Sequence, residues 1–356
     1  MNQKLCFSLT AFIMMNYVLV AQNVGLGTNQ PQARLHVEQG NVLFIGPLTL
    51  PAEPGPLSVS GPGTRLAWYP DKAAFRAGHI TGPQWDKDSI GSYSIAGGIN
   101  TKATRTGAVA LGYNSIATGN YACSFGALNN ATGTSSIAMG EFCSAIGSYS
   151  MAMGSVNSAI GQQSIAIGRI NTATGVNAVA IGNSNTAAGT FSTALGFDNR
   201  ANGEYATVMG NISIANGSYS VAIGNTVTAS GANSFSLGNY VSTSNYSGSF
   251  ALGDASTTTV MQSFVANGFR ARFAGGYRLF TNSAVSVGAF LNANANSWAA
   301  LSDVRMKENF LPVDGEVILQ KIAAMPQYTW NYIGQDVATL RHYGPMAQDF
   351  YQAFGR

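Results

Sequence analysis

Residues 164–191 read SIAIGRINTATGVN followed by AVAIGNSNTAAGTF, and the two fourteen-residue halves follow one pattern. Each half opens with side chains that alternate between small and large, reaches a glycine at its fifth position, and has a second glycine seven residues later. Alternation with a period of two predicts a β-strand. The Asn-, Thr- and Ser-rich remainder, with glycines that permit tight corners, predicts turns. The stretch therefore predicts a repeating strand-and-turn unit.

The same unit recurs over nearly half of the chain. Its first glycine returns every fourteen residues at Gly98, Gly112, Gly126, Gly140, Gly154, Gly168, Gly182, Gly196, Gly210, Gly224 and Gly238, and once more at Gly253 after one inserted residue. A second glycine series runs from Gly119 to Gly231, and an alanine series runs from Ala103 to Ala229. Three series locked in one register predict a β-solenoid over residues 91–254, in which each coil is stable only when stacked on others.

Composition excludes some classes of function. Only 9% of the 356 residues are charged, the net charge is +3, and no cluster of Lys and Arg with aromatics suggests a nucleic-acid-binding surface. Within residues 91–254 the charged residues are Lys102, Arg105, Glu141, Arg169, Asp198, Arg200, Glu204 and Asp254. This is sparse for a fully solvated surface, so we expect self-association to cover one face of the solenoid.

The N-terminus has the pattern of an export signal. Residues 1–21 carry one early cation, Lys4, and a short apolar run that ends before Gln22. We therefore expect a mature chain without a membrane span, located outside the cell or on a bacterial cell surface. Residues 22–90, which contain a proline-rich linker, are expected to cap the first coil, and residues 255–301 are expected to form a β-rich neck.

The cysteines and histidines suggest no metal site and no cofactor. Cys6 lies in the signal, and Cys123 and Cys143 lie twenty residues apart and out of register in the repeat, so no disulfide is expected. Cys123 replaces the large apolar residue of its coil, which predicts a small buried hydrophobic side chain. His36, His79 and His342 are far apart and have no zinc-ligand spacing with a cysteine.

The repeat S-I-A-I-G-x-x-x-x-A-x-G, as it stands at Ser164–Gly175, resembles the head repeats of trimeric autotransporter adhesins, the YadA-like heads. The resemblance implies an all-β fold, a left-handed parallel β-roll of fourteen-residue coils. It also implies a homotrimer in which three such rolls surround one axis. An adhesive role toward a host or cell-surface glycan or protein follows from the same resemblance.

A second resemblance covers residues 302–356. The motif S-D-x-R-x-K-x-N begins at Ser302, and G-x-x-A-Q occupies Gly344–Gln348. Both are similar to motifs of the endosialidase-type intramolecular chaperone, a small α+β domain that ends tailspikes and tail fibres, assists trimer folding and in many members cuts itself off. Many relatives continue past this point into a coiled coil, so the end at Arg356 is expected to mark either a minimal chaperone or an incomplete sequence.

The chaperone resemblance implies catalytic residues. Ser302 would be the nucleophile, Lys307 its base, and the bond between Leu301 and Ser302 the one cleaved. A serine hydroxyl is activated by an adjacent base, and burial of a lysine favours its neutral, proton-accepting form. The reaction would be a single-turnover autoproteolysis. Without the resemblance, Ser302 and Asp303 would be interpreted as a turn cap and Lys307 as a solvated side chain.

Two other functions stay open as alternatives. A glycan-cleaving tailspike needs two carboxylates across a groove, whereas the four acidic residues of the repeat lie in different coils. Ice or mineral binding is suggested by a threonine column at Thr104, Thr118, Thr132 and Thr174, which Ile146, Ile160 and Ala188 interrupt.

Overall fold

The structure, a computed structural model, describes residues 23–300, 304 and 307–355. The expected export signal, residues 1–21, lies outside the described residues. The chain divides into two compact units, and the division falls between Phe273 and Ala274. The first unit contains the solenoid and the second the C-terminal helices.

Two parallel-stacked sheets form the solenoid. The long-strand sheet has fifteen strands: Gly63–Tyr69, Ala74–Ile80, Ile95–Ile99, Val109–Tyr113, Cys123–Ala127, Ile137–Glu141, Met151–Ser155, Ile165–Arg169, Val179–Asn183, Thr193–Phe197, Thr207–Asn211, Val221–Asn225, Phe235–Asn239, Phe250–Gly253 and Phe269–Arg272. The short-strand sheet has twelve: Lys102–Ala103, Ile116–Ala117, Asn130–Ala131, Ser144–Ala145, Ser158–Ala159, Thr172–Ala173, Thr186–Ala187, Arg200–Ala201, Ile214–Ala215, Thr228–Ala229, Val241–Ser242 and Met261–Gln262. The predicted β-solenoid is confirmed.

The register explains the fourteen-residue glycine series. Residues of successive coils pair at a separation of fourteen, so that Gly168 lies beside Gly182. Gly168 has φ +116°, and a Cβ atom placed on it would collide with the carbonyl oxygen of Gly182. Only glycine satisfies both the backbone angle and the close approach of the next coil.

The interior of the solenoid is filled by small side chains. The alanines at the second position of most long strands, such as Ala166 and Ala180, and those of the short strands, such as Ala173, are fully buried. Large apolar side chains of the long strands point outward instead, since Ile181 is 37% exposed. Cys123 belongs to this outward set and is only partly buried in the single chain, so its expected burial is not found there. Desolvation nevertheless raises the pKa of its thiol.

A column of buried asparagines runs through the interior. Its uninterrupted part comprises Asn157, Asn171, Asn185 and Asn199. The Asn171 amide donates to the carbonyl oxygens of Ile167 at 2.9 Å and Gly182 at 2.8 Å, and its Oδ1 accepts the backbone N–H of Asn185 at 3.0 Å. Each of these amides therefore ties its own coil to the next one at the corner that joins the two sheets, and the buried amide groups find their partners within the repeat.

The N-terminal end of the solenoid is closed by side-chain donors. The antiparallel hairpin Gly63–Tyr69 and Ala74–Ile80 extends the long-strand sheet, whereas the short-strand sheet starts at Lys102–Ala103 with no strand before it. Arg76, only 1% exposed, donates to the Ala103 oxygen at 3.0 Å, and Trp85 Nε1 donates to the Thr101 oxygen at 2.9 Å. Burial lowers the pKa of Arg76 to about 10, which leaves it charged at neutral pH.

The remaining elements are short. Val24–Leu26 pairs in parallel with Leu35–Val37 near the N-terminus, and Pro70–Lys72 and Lys87–Ser89 form 3-10 turns. The second unit contains the antiparallel strands Gly276–Phe280, Gly288–Asn292 and Ala299–Ala300, helix Gly315–Ala324, the hairpin strands Tyr328–Trp330 and His342–Gly344, and helix Ala347–Phe354. This unit confirms the small α+β domain. No helix in the described part of the chain is long and apolar enough to cross a membrane.

The asparagine column leads to a stability prediction. We expect Asn171→Ala to lower the free energy of unfolding by about 2–4 kcal/mol, because it leaves the Gly182 oxygen and the Asn185 N–H without their side-chain partners. Asn202→Ala is the matched control: Asn202 also bonds an asparagine fourteen residues on, at 2.8 Å, but on the exposed surface. Its loss should change stability by less than about 0.5 kcal/mol. Guanidinium titration compares the two, and equal shifts would contradict a role for the buried column.

Candidate functional site

The outer face of the long-strand sheet is left partly uncovered in the single chain. Two columns of side chains point outward from it. The first column comprises Trp68, Phe75, Ile95, Val109, Cys123, Ile137, Met151, Ile165, Val179, Thr193, Thr207, Val221, Phe235, Phe250 and Phe269. The second comprises Leu66, Ala77, Gly97, Leu111, Phe125, Met139, Met153, Ile167, Ile181, Leu195, Met209, Ile223, Leu237, Leu252 and Ala271. We call these two columns the outer face.

No residue of the outer face is charged, and most are large and apolar. They are only partly covered: Ile95 is 42% exposed, Leu111 38% and Met209 40%. Toward its C-terminal end the face carries packed aromatic rings, with centroids 5.8 Å apart for Phe235 and Phe250. Soluble monomers rarely expose large contiguous apolar surfaces, so a mainly apolar, uncharged face along fifteen strands marks an interaction surface.

The opposite, short-strand sheet has a different outer surface. Its outward positions are mainly polar, such as Ser158 and Thr172. In the same two coils the outer face has the apolar residues Met153 and Ile167. The two sheets share one interior but differ in chemistry outside it. The solenoid is therefore two-sided, with one sheet suited to solvent and the other to a protein partner.

The predicted catalytic pair is only half visible. Leu301 and Ser302 lie outside the described residues, so the serine and the bond that it would cleave have no described position. Lys307 is described and exposed, and its backbone N–H donates to the Val304 oxygen at 3.2 Å. The structure therefore places one member of the pair at the start of the C-terminal domain and does not test the pairing.

The C-terminal domain folds around hydrogen bonds and ring contacts. Asp314 caps helix Gly315–Ala324 by accepting the Glu316 N–H at 2.9 Å. Trp330 stacks on His342 with ring centroids 4.5 Å apart, and Arg341 donates to the Thr329 oxygen at 2.8 Å, which fastens the hairpin. The Asp336 pKa is lowered, chiefly by the hydrogen bond that it accepts from the Ala338 N–H.

This domain has no buried core in the single chain. None of the described residues from 274 to 355 is buried, and large apolar side chains are widely exposed, among them Leu311 at 84% and Tyr343 at 82%. Domains normally fold around a hydrophobic core that excludes water. The apolar surface of this domain is therefore available for other polypeptide chains.

The sequence predicted the alternating strands but not which set of side chains, small or large, points into the solenoid. Alternation of small and large residues does not reveal which set points inward, since a strand has two faces. The signal that decides it is the asparagine at 157, 171, 185 and 199, whose fourteen-residue spacing marks a buried, in-register amide column. An asparagine ladder in which each amide bonds the next coil is typical of tightly stacked, in-register strands.

Two known protein families match this chain, one in the solenoid and one in the C-terminal domain. The family model of the YadA head domain repeat matches residues 89–115, 116–140, 145–169, 173–199 and 201–226, each match spanning two copies of the repeat. The family model of the chaperone of endosialidase matches residues 302–356. No curated protein matches the chain. The chain is therefore an adhesin- or fibre-like protein that carries YadA head repeats and, after them, a C-terminal chaperone domain of the endosialidase type.

Proposed function

We propose that this protein is exported and acts as a homotrimeric fibre or adhesin on a bacterial surface, where the solenoid presents a binding surface for a host or cell-surface glycan or protein. Its C-terminal domain guides assembly of the trimer and then cuts the chain between Leu301 and Ser302. The observation that carries the proposal is the uncharged outer face, which has no cover in a single chain.

A trimer covers the outer face of each copy simultaneously. When three solenoids stand side by side around one axis with their outer faces inward, side chains such as Ile167 and Ile181 leave water, while the polar outer surfaces of the short-strand sheets stay solvated. Closed cyclic assembly leaves no apolar face free, in contrast to an open filament. The sparse charge on the repeats is consistent with this arrangement.

The C-terminal domain supports a role in assembly. Its lack of buried residues in the single chain means that its own folding would be completed by contact with other copies. A domain that folds only when three copies meet would hold three chains in register while their coils stack. Parallel β pairing over long sequence distances is slow and exposes strand edges, so such help has a physical purpose.

Self-cleavage rests on the residues of the S-D-x-R-x-K-x-N motif. The domain model begins at Ser302, and Lys307 lies five positions after it. In this proposal Lys307 accepts the proton of the Ser302 hydroxyl, and the hydroxyl oxygen attacks the Leu301 carbonyl carbon. The peptide bond breaks, its nitrogen leaves protonated as the new amino terminus, and water hydrolyses the resulting ester. Approach of partner chains would supply the burial that favours the neutral amine of a lysine, which can then accept a proton at neutral pH.

The structure adds little to the two alternative functions. The threonine column that suggested ice binding is broken by exposed apolar side chains, Ile146 at 46% and Ile160 at 41%. Of the four acidic residues in the repeat, Asp198 lies near Arg200 and Asp254 pairs with Arg272 at 3.2 Å, an arrangement that serves charge pairing. The fibre and adhesin function is therefore the one that we develop.

The trimer leads to a prediction about the outer face. Ile167→Asp should abolish the trimer, because it places three carboxylates in a dry interface, where burying each costs several kcal/mol. Thr172→Asp, in the same coil but on the opposite sheet, should leave the trimer intact. Light scattering of the purified chains gives the mass directly. A trimer that survives Ile167→Asp would show that another surface holds the copies together.

Self-cleavage leads to a second prediction. Residues 22–356 should release a C-terminal fragment of 55 residues, from Ser302 to Arg356, that intact mass identifies. Ser302→Ala and Lys307→Met should both prevent release, while Ser297→Ala, a serine five positions earlier, should not. Release from the Ser302→Ala chain would exclude this serine as the nucleophile. An uncut trimer in every case would leave an assembly domain without protease activity.

A further inference from the structure

Four neighbouring coils carry a large apolar residue at the corner where the long strand ends. These residues are Leu128, Phe142, Val156 and Ile170, and we call them the strand-end ridge. They are 38%, 52%, 48% and 42% exposed, respectively. Each follows directly after its long strand, and they succeed one another every fourteen residues. The ridge is therefore a continuous apolar ladder along one edge of the outer face.

The backbone at this corner is left-handed. The φ angles of the ridge residues are 56°, 53°, 58° and 57° for Leu128, Phe142, Val156 and Ile170. The stack imposes this conformation, because each corner N–H donates to the preceding coil, as Val156 does to the Glu141 oxygen at 2.9 Å. Glycine, asparagine and aspartate tolerate left-handed angles best, whereas β-branched residues such as valine and isoleucine are genuine outliers there.

The ridge is thus unfavourable in an isolated chain for two reasons. Its backbone angles disfavour the side chains that it carries, and its exposed apolar surface is hydrated. In other coils the same corner has polar residues that are not β-branched, such as Ser184 at φ 61° and Asp198 at φ 48°. Strained residues persist where the surroundings or the function require them, and here the intrachain surroundings explain the angle but not the apolar side chains.

The position of the ridge identifies its partner. The long strand runs between two left-handed corners, so these corners are the two edges of the outer face. Gly168 and the exposed Arg169 lie between Ile170 and Ile167 of the outer face, so the ridge borders the surface that the trimer would bury without being continuous with it. A ladder with one apolar side chain per coil fits a surface that repeats with the same rise, and a parallel copy of this chain has that rise.

The opposite corner carries a tyrosine in two of the same four coils and the polar residues Ser135 and Gln163 in the other two. Tyr121 and Tyr149 lie two residues before their long strands, with φ 57° and 60°, and are 62% and 59% exposed. We call them the strand-start corner. In a closed ring of three copies the left edge of one outer face meets the right edge of the next, so the contact is heterologous and in register. Tyr149 of one copy then lies at the level of Val156 of its neighbour.

We propose that the strand-end ridge of each copy packs against the strand-start corner of the next copy, so that Leu128, Phe142, Val156 and Ile170 close the seam between adjacent protomers. The inference rests on the proposed trimer and adds the contact that seals its edges. Burial of the ridge against tyrosine rings removes apolar surface from water and uses an amphipathic partner whose hydroxyl stays at the wet rim.

Asparagine substitutions test the seam. On a free surface they should stabilise the protein or leave it unchanged, whereas at an interface they should weaken the trimer. Val156→Asn relieves the left-handed strain and removes an exposed apolar group, so on a free surface it should stabilise the protein or leave it unchanged. At a seam it should weaken the trimer, with a rise in the dissociation constant of at least about tenfold. Ser184→Asn, at the same corner two coils farther on, is the control and should leave dissociation unchanged. Guanidinium-induced dissociation followed by light scattering measures each variant.

A double-mutant cycle locates the partner. Within one chain Tyr149 and Val156 are separated by the five-residue strand Met151–Ser155, about 17 Å, so their substitutions should be additive if they do not meet across copies. At the seam, Tyr149→Asn should weaken the trimer as Val156→Asn does, and the double variant should lose clearly less than the product of the two fold-changes. Far-UV circular dichroism verifies that the coils stay folded in every variant.

The outcomes separate the seam from the trimer itself. A trimeric wild-type chain whose Val156→Asn variant is equally or more stable would overturn the seam and leave the trimer standing. Weakening by both single variants with additive effects would overturn the pairing of the two corners. A wild-type chain that is monomeric by light scattering would remove the trimer and the seam together.

Discussion

The close approach of successive coils is the constraint on which the rest of this structure depends. Each coil lies directly on the next, in register, so that glycine faces glycine and alanine faces alanine fourteen residues apart. That approach leaves no room for a side chain at Gly168 and requires small side chains inside. The hydrogen-bond ladders, the glycine series and the asparagine column all follow from it. It also determines where large residues are placed, because a thin interior cannot hold them.

This arrangement reverses the usual location of hydrophobic stabilisation. In most domains large apolar residues fill the core, whereas here fully buried alanines fill it and residues such as Ile181 and Met209 remain partly exposed outside. Much of the apolar surface would be buried only in the proposed trimer. Stability and assembly would then be linked, as is common for obligate oligomers. The C-terminal domain has no buried residue among those described, so its apolar side chains would also be covered only by other copies in the proposed trimer.

The fold was largely predictable from the sequence, because a fourteen-residue period in glycine and alanine reports stacking directly. The inward direction of the small face was not predictable from alternation alone, and Cys123 was placed inside although it points outward. The left-handed corners were missed for a related reason: Val156 and Ile170 are residue types that local propensity would never place at positive φ, and only the stack imposes that angle on them. The catalytic pair depended on resemblance, and its serine has no described position.

The two ends of the solenoid carry different side-chain contacts, those of Arg76 and Trp85 at the first coil and the Arg272–Asp254 ion pair at the last strand. Neither set of contacts touches the middle coils, and a middle coil contacts only its neighbours. A gene of this design can gain or lose blocks of forty-two nucleotides by unequal recombination while both end structures are inherited intact. The length of the solenoid is then a quantity that evolution can adjust in steps, without a new fold for each length.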